Sequence, residues 1–299
     1  MSPDLHRQAY VPAVLDELVA FCQGHPTTGH PPDLVHRLIG HLPADASAVM
    51  DIWQGGQRRL VGVVLDTLDN SDHAAIFDVL GWDGVGMTDT FWPTVLNIAE
   101  DRVRSGPRQL ISFALSDVTR DLAPWLLARG YHLGFTSYGM ATAEMPPPSI
   151  PELPQGWHWE DISPETVRTY YEAVCAAMGS VPGTNIAAYA DFAPMALQAR
   201  LLPRLLLDGD QVAGFFRVTL SGGDQSTGYI SAIGRTPTYR GRGLGPLLLA
   251  TAMNLLADHG ARRYTLDVSA TNAQALRLYE RHGFRIVSDE PHFLCTLTP

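Results

Sequence analysis

The stretch Tyr239-Arg240-Gly241-Arg242-Gly243-Leu244-Gly245-Pro246 decides how this chain is read. It lies between an apolar, strand-like run at 229–233 and a helix-like run opening at Pro246. Alternating glycines allow a sharp turn and remove the Cβ atoms that would hold a ligand away. Proline suits the first turn of a helix, where its missing N–H costs nothing. The free N–H groups of such a helix start, with Arg240 and Arg242, predict a site for a phosphate or pyrophosphate. Neither the Gly-x-Gly-x-x-Gly spacing of a dinucleotide loop nor the Gly-Lys-Ser/Thr of a P-loop is present.

The spacing is instead Arg-x-x-Gly-x-Gly, at Arg240, Gly243 and Gly245. Downstream stands Asn272-Ala273-Gln274-Ala275-Leu276-Arg277-Leu278-Tyr279-Glu280-Arg281-His282-Gly283-Phe284. In this order the two stretches resemble the paired signatures of the GNAT acetyltransferases. The resemblance implies an α+β fold, with a mixed, mostly antiparallel sheet flanked by helices. It also implies acetyl-coenzyme A as co-substrate, with no metal.

Composition bounds the alternatives. The chain has 299 residues, enough for about two ordinary domains. No apolar run is long enough to span a membrane. The first residues lack a basic-then-apolar leader pattern. Cys22, Cys175 and Cys295 are too few and too scattered for a disulfide framework. The expectation is a cytoplasmic protein, as monomer or homodimer, with no membrane partner. Formal net charge is −10, and all 21 basic residues are arginine. An acidic chain is a poor binder of nucleic acid, where phosphate contacts dominate affinity. An anionic ligand must be attracted locally, by Arg235, Arg240, Arg242 and backbone dipoles.

Along the chain, helical patterns at 14–21 and 34–42 precede strand-like runs at 47–53, 60–65 and 74–80, with a turn at 69–72. A helix at 91–103, a strand at 109–115, a short helix at 122–128 and a strand at 131–138 follow. Cys22, His25, His30, His36 and His41 do not have zinc-finger spacing, and polar surface is their simpler reading. Met145-Pro146-Pro147-Pro148-Ser149-Ile150-Pro151-Glu152-Leu153-Pro154 is a stiff, extended connector. It divides the chain into 1–145, a linker at 146–154, and 155–299. Beyond it come a strand at 157–159, a helix start at 163–165, a helical pattern at 195–202, and strands at 204–207, 212–220 and 228–233 with a turn at 221–224. The glycine loop, a helix to His259, a strand at 263–268, the signature helix and closing strands complete the chain.

The order of elements repeats, which predicts two tandem domains. Aligning Gly130-Tyr131 with Gly283-Phe284 sets Ser116 opposite Ser269, Leu126 opposite Tyr279 and Ala114 opposite Asp267. With gaps, Gly81, Gly84 and Gly86 fall against Arg240, Gly243 and Gly245, and Asp83 brings a negative charge where a pyrophosphate would lie. The first half reads as a GNAT domain without its chemistry.

In the second half, the resemblance puts cofactor-binding N–H groups at Ile233, Gly234 and Arg235. The loop Arg240, Gly241, Arg242, Gly243, Leu244 and Gly245 would receive the pyrophosphate. Tyr279 matches the family's general acid, which protonates the departing sulfur; a packed aromatic is the alternative. Asn272 is either a cofactor contact or a helix N-cap. The strand before the loop carries no carboxylate at 227–234. The run 266–272 resembles ribosomal-protein alanine acetyltransferases, with Asp267 where those carry a catalytic Glu. Asp267 is therefore either the base, acting through water, or a strand carboxylate paired with Arg263 or another surface charge.

These residues imply N-acetyl transfer to a primary amine of a small molecule or a peptide N-terminus. Mycothiol synthases share the tandem layout and acetylate a cysteinyl pseudodisaccharide, which is an alternative. A tRNA-dependent peptidyl transferase would need a basic face, against the charge of −10. A non-catalytic acyl-CoA sensor would not need Tyr279 and Asp267. The acceptor surface is expected near 179–184 and the C-terminal strands.

Overall fold

The computed structural model describes residues 5–27, 35, 39, 48–66, 74–84, 90–106, 108–181, 184, 186–220 and 226–298. The turns at 69–72 and 221–224, most of the pattern at 34–42 with His30, His36 and His41, and Gly86 lie outside them. The described chain packs as two compact units. One holds the described residues up to Gly134 and those from Glu290 on; the other holds Phe135–Asp289.

The first unit is built on strands β1 (Leu5–Gln8), β2 (Val49–Gln54), β3 (Gln57–Asp66), β4 (Ala74–Trp82) and β5 (Leu110–Ala114), in that spatial order. The end of β12 (Arg285–Thr296) completes its sheet, with Phe293 opposite Phe113. Helix α1 (Leu15–Gly24) buries Leu18, Val19 and Cys22 on this sheet. Burial pushes the Cys22 thiol up to about 12, as for a core residue. Helix α2 (Phe91–Arg104) and the short α3 (Ala123–Ala128) bury Trp92, Val95, Leu96 and Leu126 in a second core layer.

The second unit orders its strands β6 (His132–Ala141), β11 (Arg263–Ser269), β10 (Thr227–Arg235), β9 (Gln211–Leu220), β8 (Leu201–Asp208) and β7 (Trp157–Asp161). Helices α4 (Val167–Met178) and α5 (Tyr189–Ala196) cover one face through Tyr170, Phe192, Leu205, Phe215 and Ala232. Helix α6 (Gly245–Asp258) covers the other through Leu249, Met253 and Leu256, against Phe216, Val218, Ile230 and Leu266. Along each strand, successive side chains turn to opposite faces. Phe215, Arg217, Tyr229 and Asp267 therefore share the α4 face.

The closing strands cross between the two halves of the sequence. β6 follows α3 in the chain yet pairs with β11, and β12 runs on to pair with β5. The compact units are thus a different partition from a division at 146–154.

Three sequence expectations are corrected. The pattern at 195–202 is not a helix: α5 ends at Ala196, and β8 begins at Leu201 in register with Thr219 of β9. Short apolar runs fit either element, and cross-strand pairing decides this one. Gly81 is not a loop residue. It lies in β4 opposite Val61, where a Cβ would approach the Cα of Cys22 to 2.9 Å. Asp83 is not a free charge either, because Arg59 Nη1 lies 2.8 Å from its Oδ2.

The expected internal repeat has a backbone counterpart. Four N–H···O bonds recur 153 residues apart: Thr119 to Ser116 and Asn272 to Ser269, Arg129 to Leu126 and His282 to Tyr279, Gly130 to Leu127 and Gly283 to Glu280, Tyr131 to Leu126 and Phe284 to Tyr279. Gly130 and Gly283 both turn with positive φ, 87° and 88°. The parallel ladder repeats in the same register, Ala74 to Phe77 with β5 and Thr227 to Ile230 with β11.

Candidate active site

The site begins where two strands part. β10 runs parallel to β11 from Thr227 to Ile230, and the pairing stops there. One residue later Ser231 bulges, and β10 continues beside β9 alone from Ala232 to Arg235. A bulge adds a residue to one strand and bends it away. The Thr236 N–H donates to Ala213 O on β9. Alternation then turns the N–H groups of Ile233 and Arg235 to the vacated side. At Gly234 a Cβ would meet the Phe215 ring at 2.6 Å and Ala177 at 3.3 Å, so glycine lets α4 close on this strand end.

After a 3₁₀ turn, Pro237–Tyr239, the glycine loop leads into α6. Gly241 and Gly243 have φ of 78° and 75°, which L residues rarely adopt, and nothing lies within 4 Å of where their Cβ atoms would be. Gly245 is glycine for a different reason: a Cβ there would press Leu278 at 2.9 Å. No side chain caps the start of α6, and its first turn contains no acidic residue. Leu244 is buried among Leu206, Tyr239 and Leu248, so only its backbone is available to a ligand. The Arg242 guanidinium lies over the Tyr239 ring, 4.6 Å from its centroid. Arg240 Nη2 donates to Ala177 O at 3.4 Å. Open backbone, an uncapped helix start and two arginines fit the pyrophosphate of coenzyme A.

Helix α7 (Ala273–Arg281) brings up the other wall. Asn272 caps it, its side-chain oxygen accepting the Ala275 N–H at 3.1 Å. The cap role is thus directly visible. Arg235 Nη2 donates to Gln274 Oε1 at 3.4 Å, tying the end of β10 to the first turn of α7. Tyr279 buries its ring beside Phe284, with centroids 5.9 Å apart. Its hydroxyl has no hydrogen-bond partner among the described residues. Burial pushes this phenol up to about 12, with the Arg235 charge pulling the other way, so it is protonated at neutral pH.

Asp267 is exposed on the α4 face, and its partner is not Arg263. The Tyr229 hydroxyl donates to Asp267 Oδ2 at 2.7 Å. Gly139 stands opposite on β6; a Cβ there would run into Ser288 Oγ and lie 3.6 Å from Asp267 Oδ1, an ordinary contact. Sequence reading passes over Tyr229, Gln274, Ser231 and Arg217. For Tyr229 a signal exists: it alternates with Gly228 and Ile230, so it faces away from α6. Among the described residues, no group of three His, Cys, Asp or Glu side chains could hold a metal, and no helix is long and apolar enough to cross a membrane.

Residues 166–284 match the Acetyltransferase (GNAT) family. The matched stretch lies wholly within the second unit. Over 81 residues it is 36% identical to a mycothiol acetyltransferase of Corynebacterium glutamicum (strain R), covering 27% of each chain. Over 87 residues it is 44% identical to the mycothiol acetyltransferase of Clavibacter michiganensis subsp. michiganensis, covering 28% of each. The matched stretches therefore span little more than a quarter of those relatives' length. Among solved structures, a GCN5-related N-acetyltransferase from Sphaerobacter thermophilus aligns with a TM-score of 0.73 at 22% identity, over 100% of this chain and 98% of that one. A tandem GNAT protein from the clavulanic acid biosynthesis pathway aligns with a TM-score of 0.72 at 16% identity, over 99% of both. At those identities the likeness is one of fold. It extends the GNAT architecture to the whole chain and makes it a tandem α+β protein.

Proposed function

We propose that the second unit transfers an acetyl group from acetyl-coenzyme A to a primary amine of a small molecule or a peptide N-terminus. The protonated, unpartnered Tyr279 hydroxyl, held on α7 beside the parted strands, carries this reading. The first half is then a GNAT domain without the chemistry, and the cytoplasm is the expected compartment.

The thioester supplies the activated acetyl carbon. Gly241, Gly243 and the start of α6 hold the pyrophosphate with Arg240 and Arg242, and Asn272 is the further contact. The Ile233 and Arg235 N–H groups hold the ligand along β10; an N–H aimed at the thioester oxygen stabilises the tetrahedral oxyanion. Asp267, through a water, takes a proton from the acceptor ammonium, leaving the nitrogen lone pair free to attack. A C–N bond forms, the C–S bond breaks, and Tyr279 gives its proton to the sulfur. The attacking nitrogen sheds its second proton to solvent and the phenol is restored, so the products are an amide and a thiol.

Steady release of free thiol from acetyl-coenzyme A across a panel of primary amines tests this. One amine turned over supports the reading. Binding without turnover across the panel would leave an acyl-CoA sensor. The 36% and 44% identities favour a second reading, in which the acceptor is of the mycothiol type.

A further inference from the structure

On the α4 face of the second unit, Arg217 stands apart from the cofactor loop. Its Nε–H donates to Ser231 Oγ at 2.9 Å, and the Thr219 hydroxyl reaches the same oxygen at 3.2 Å. No other side-chain hydrogen bond or ion pair engages the guanidinium among the described residues. Several other arginines of this acidic chain are paired with carboxylates: Arg58 with Asp51, Arg104 and Arg129 with Glu100, Arg204 with Asp161. A half-buried arginine with its two terminal nitrogens free is set up to receive a planar, doubly accepting anion.

Beside it lies a second unsatisfied group. Tyr170 of α4 is fully buried between Phe192 and Phe215, and its hydroxyl has no partner among the described residues. Buried hydroxyls are normally hydrogen-bonded, so an orphan points to a missing ligand or water. The charge acting on it is that of Arg217. Arg217 and Asp267 share the face and are separated by the width of β10. That is two strand spacings, about 10 Å between backbones. A small acceptor laid across β10 at the bulge reaches both: its amine at Asp267, its other end at Arg217.

Resting on the acetyl-transfer reading above, we propose that Arg217 is the acceptor anchor and that the preferred acceptor is an amine bearing a carboxylate, such as an amino acid or a short peptide acid. The bond from Nε to Ser231 fixes the fork at the point where β10 parts from β11. Acceptor binding and the opening of the strands are thereby held in one register.

The test uses the full chain, acetyl-coenzyme A and thiol release, with the common amino acids set against their α-carboxamides. Carboxylate members should be preferred in kcat/KM by about 10- to 100-fold, the usual worth of hydrogen bonds to a charged group. Arg217→Gln should erase that preference by lowering the rate with acids while leaving the carboxamide rate in place. Arg217→Lys should keep part of it. Equal rates for acids and amides, with cysteinamide among the good acceptors, would overturn the anchor while leaving acetyl transfer standing. An Arg217→Gln loss shared equally by acids and amides would also overturn it, since Arg217 would then serve only the bulge. Turnover with no amine at all removes the acetyl-transfer reading, and this one with it.

Discussion

The corner that joins β5 to β6 and the corner that joins β11 to β12 have the same backbone and different side chains. Each turns through a positive-φ glycine, Gly130 or Gly283, and each makes the same four N–H···O bonds. Where the second corner places Tyr279, Gln274, Asn272 and Asp267, the first has Leu126, Asp121, Thr119 and Ala114. At the end of the neighbouring strand, Trp82 occupies the position of Arg235. Trp82 and Asp121 line a cavity of about 450 Å³ in the first unit, together with His25, Thr119 and Leu122. The strands facing the corners exchange small for large as well: Asp267 stands opposite Gly139, and Ala114 opposite His292. Main-chain bonds and one buried ring hold such a corner together. The side chains that face outward are free to carry a reaction or to lose it.

The largest expected effect separates the corners by activity. Tyr279→Phe keeps the ring against Phe284 and removes only the phenol, so melting temperature should hold while kcat falls by about 10²–10⁴-fold. Leu126→Tyr in the first corner should bring no second activity, because Ala114 and Trp82 leave the other roles empty. An unchanged kcat in Tyr279→Phe, with chemistry rate-limiting, would make the two corners equally inert.

Next comes acid sensitivity, expected from the first unit. Burial lowers His292 to about 4, well below the usual imidazole value of 6.5. Between those values the unfolded chain takes up the proton and the folded one does not. Stability is therefore fully present above about pH 6.5 and lost as pH falls toward 4, by up to about 3 kcal/mol. Urea midpoints measured against pH should show this loss, and His292→Gln should remove it. A variant with the same slope as wild type assigns the acid sensitivity to other groups.

The smallest effect compares the turns. Gly130→Ala should cost about 1–2 kcal/mol for a left-handed residue. Gly283→Ala should cost at least as much, because its Cβ would also meet Met145 Sδ at 3.2 Å, whereas nothing lies within 4 Å at Gly130. Midpoints of chemical unfolding rank the two. If Gly283→Ala proved the milder, the corners would not be equivalent in backbone strain.

Much of the second unit's site is legible in sequence because its parts are local. A glycine loop running into a proline-started helix, an Asn at a helix start, and a tyrosine one turn before a glycine stop are all fixed within a dozen residues. Asp267 shows the limit. Its residue type suggests a charge partner, and the sequence offers Arg263 close by. The fold instead sets Tyr229, from a strand 38 residues away, 2.7 Å from it. Arg217 is invisible for the same reason. Nothing within a few residues of it tells that β9 will lay it beside a bulge and under a buried tyrosine.

By itself the sequence determined most of the elements, the repeat and the glycine loop, because backbone conformation, capping and helix periodicity are short-range properties. Only the tertiary structure decided which strand closes which sheet. β6 pairs with β11 and β12 with β5, so the last strand of each unit comes from the other half of the chain. It also decided that Leu201 starts a strand rather than continuing a helix, and that Gly81 packs on α1 rather than in a loop. Strand pairing joins residues far apart in the chain. Its free energy comes from ladders and shared cores that no local window contains.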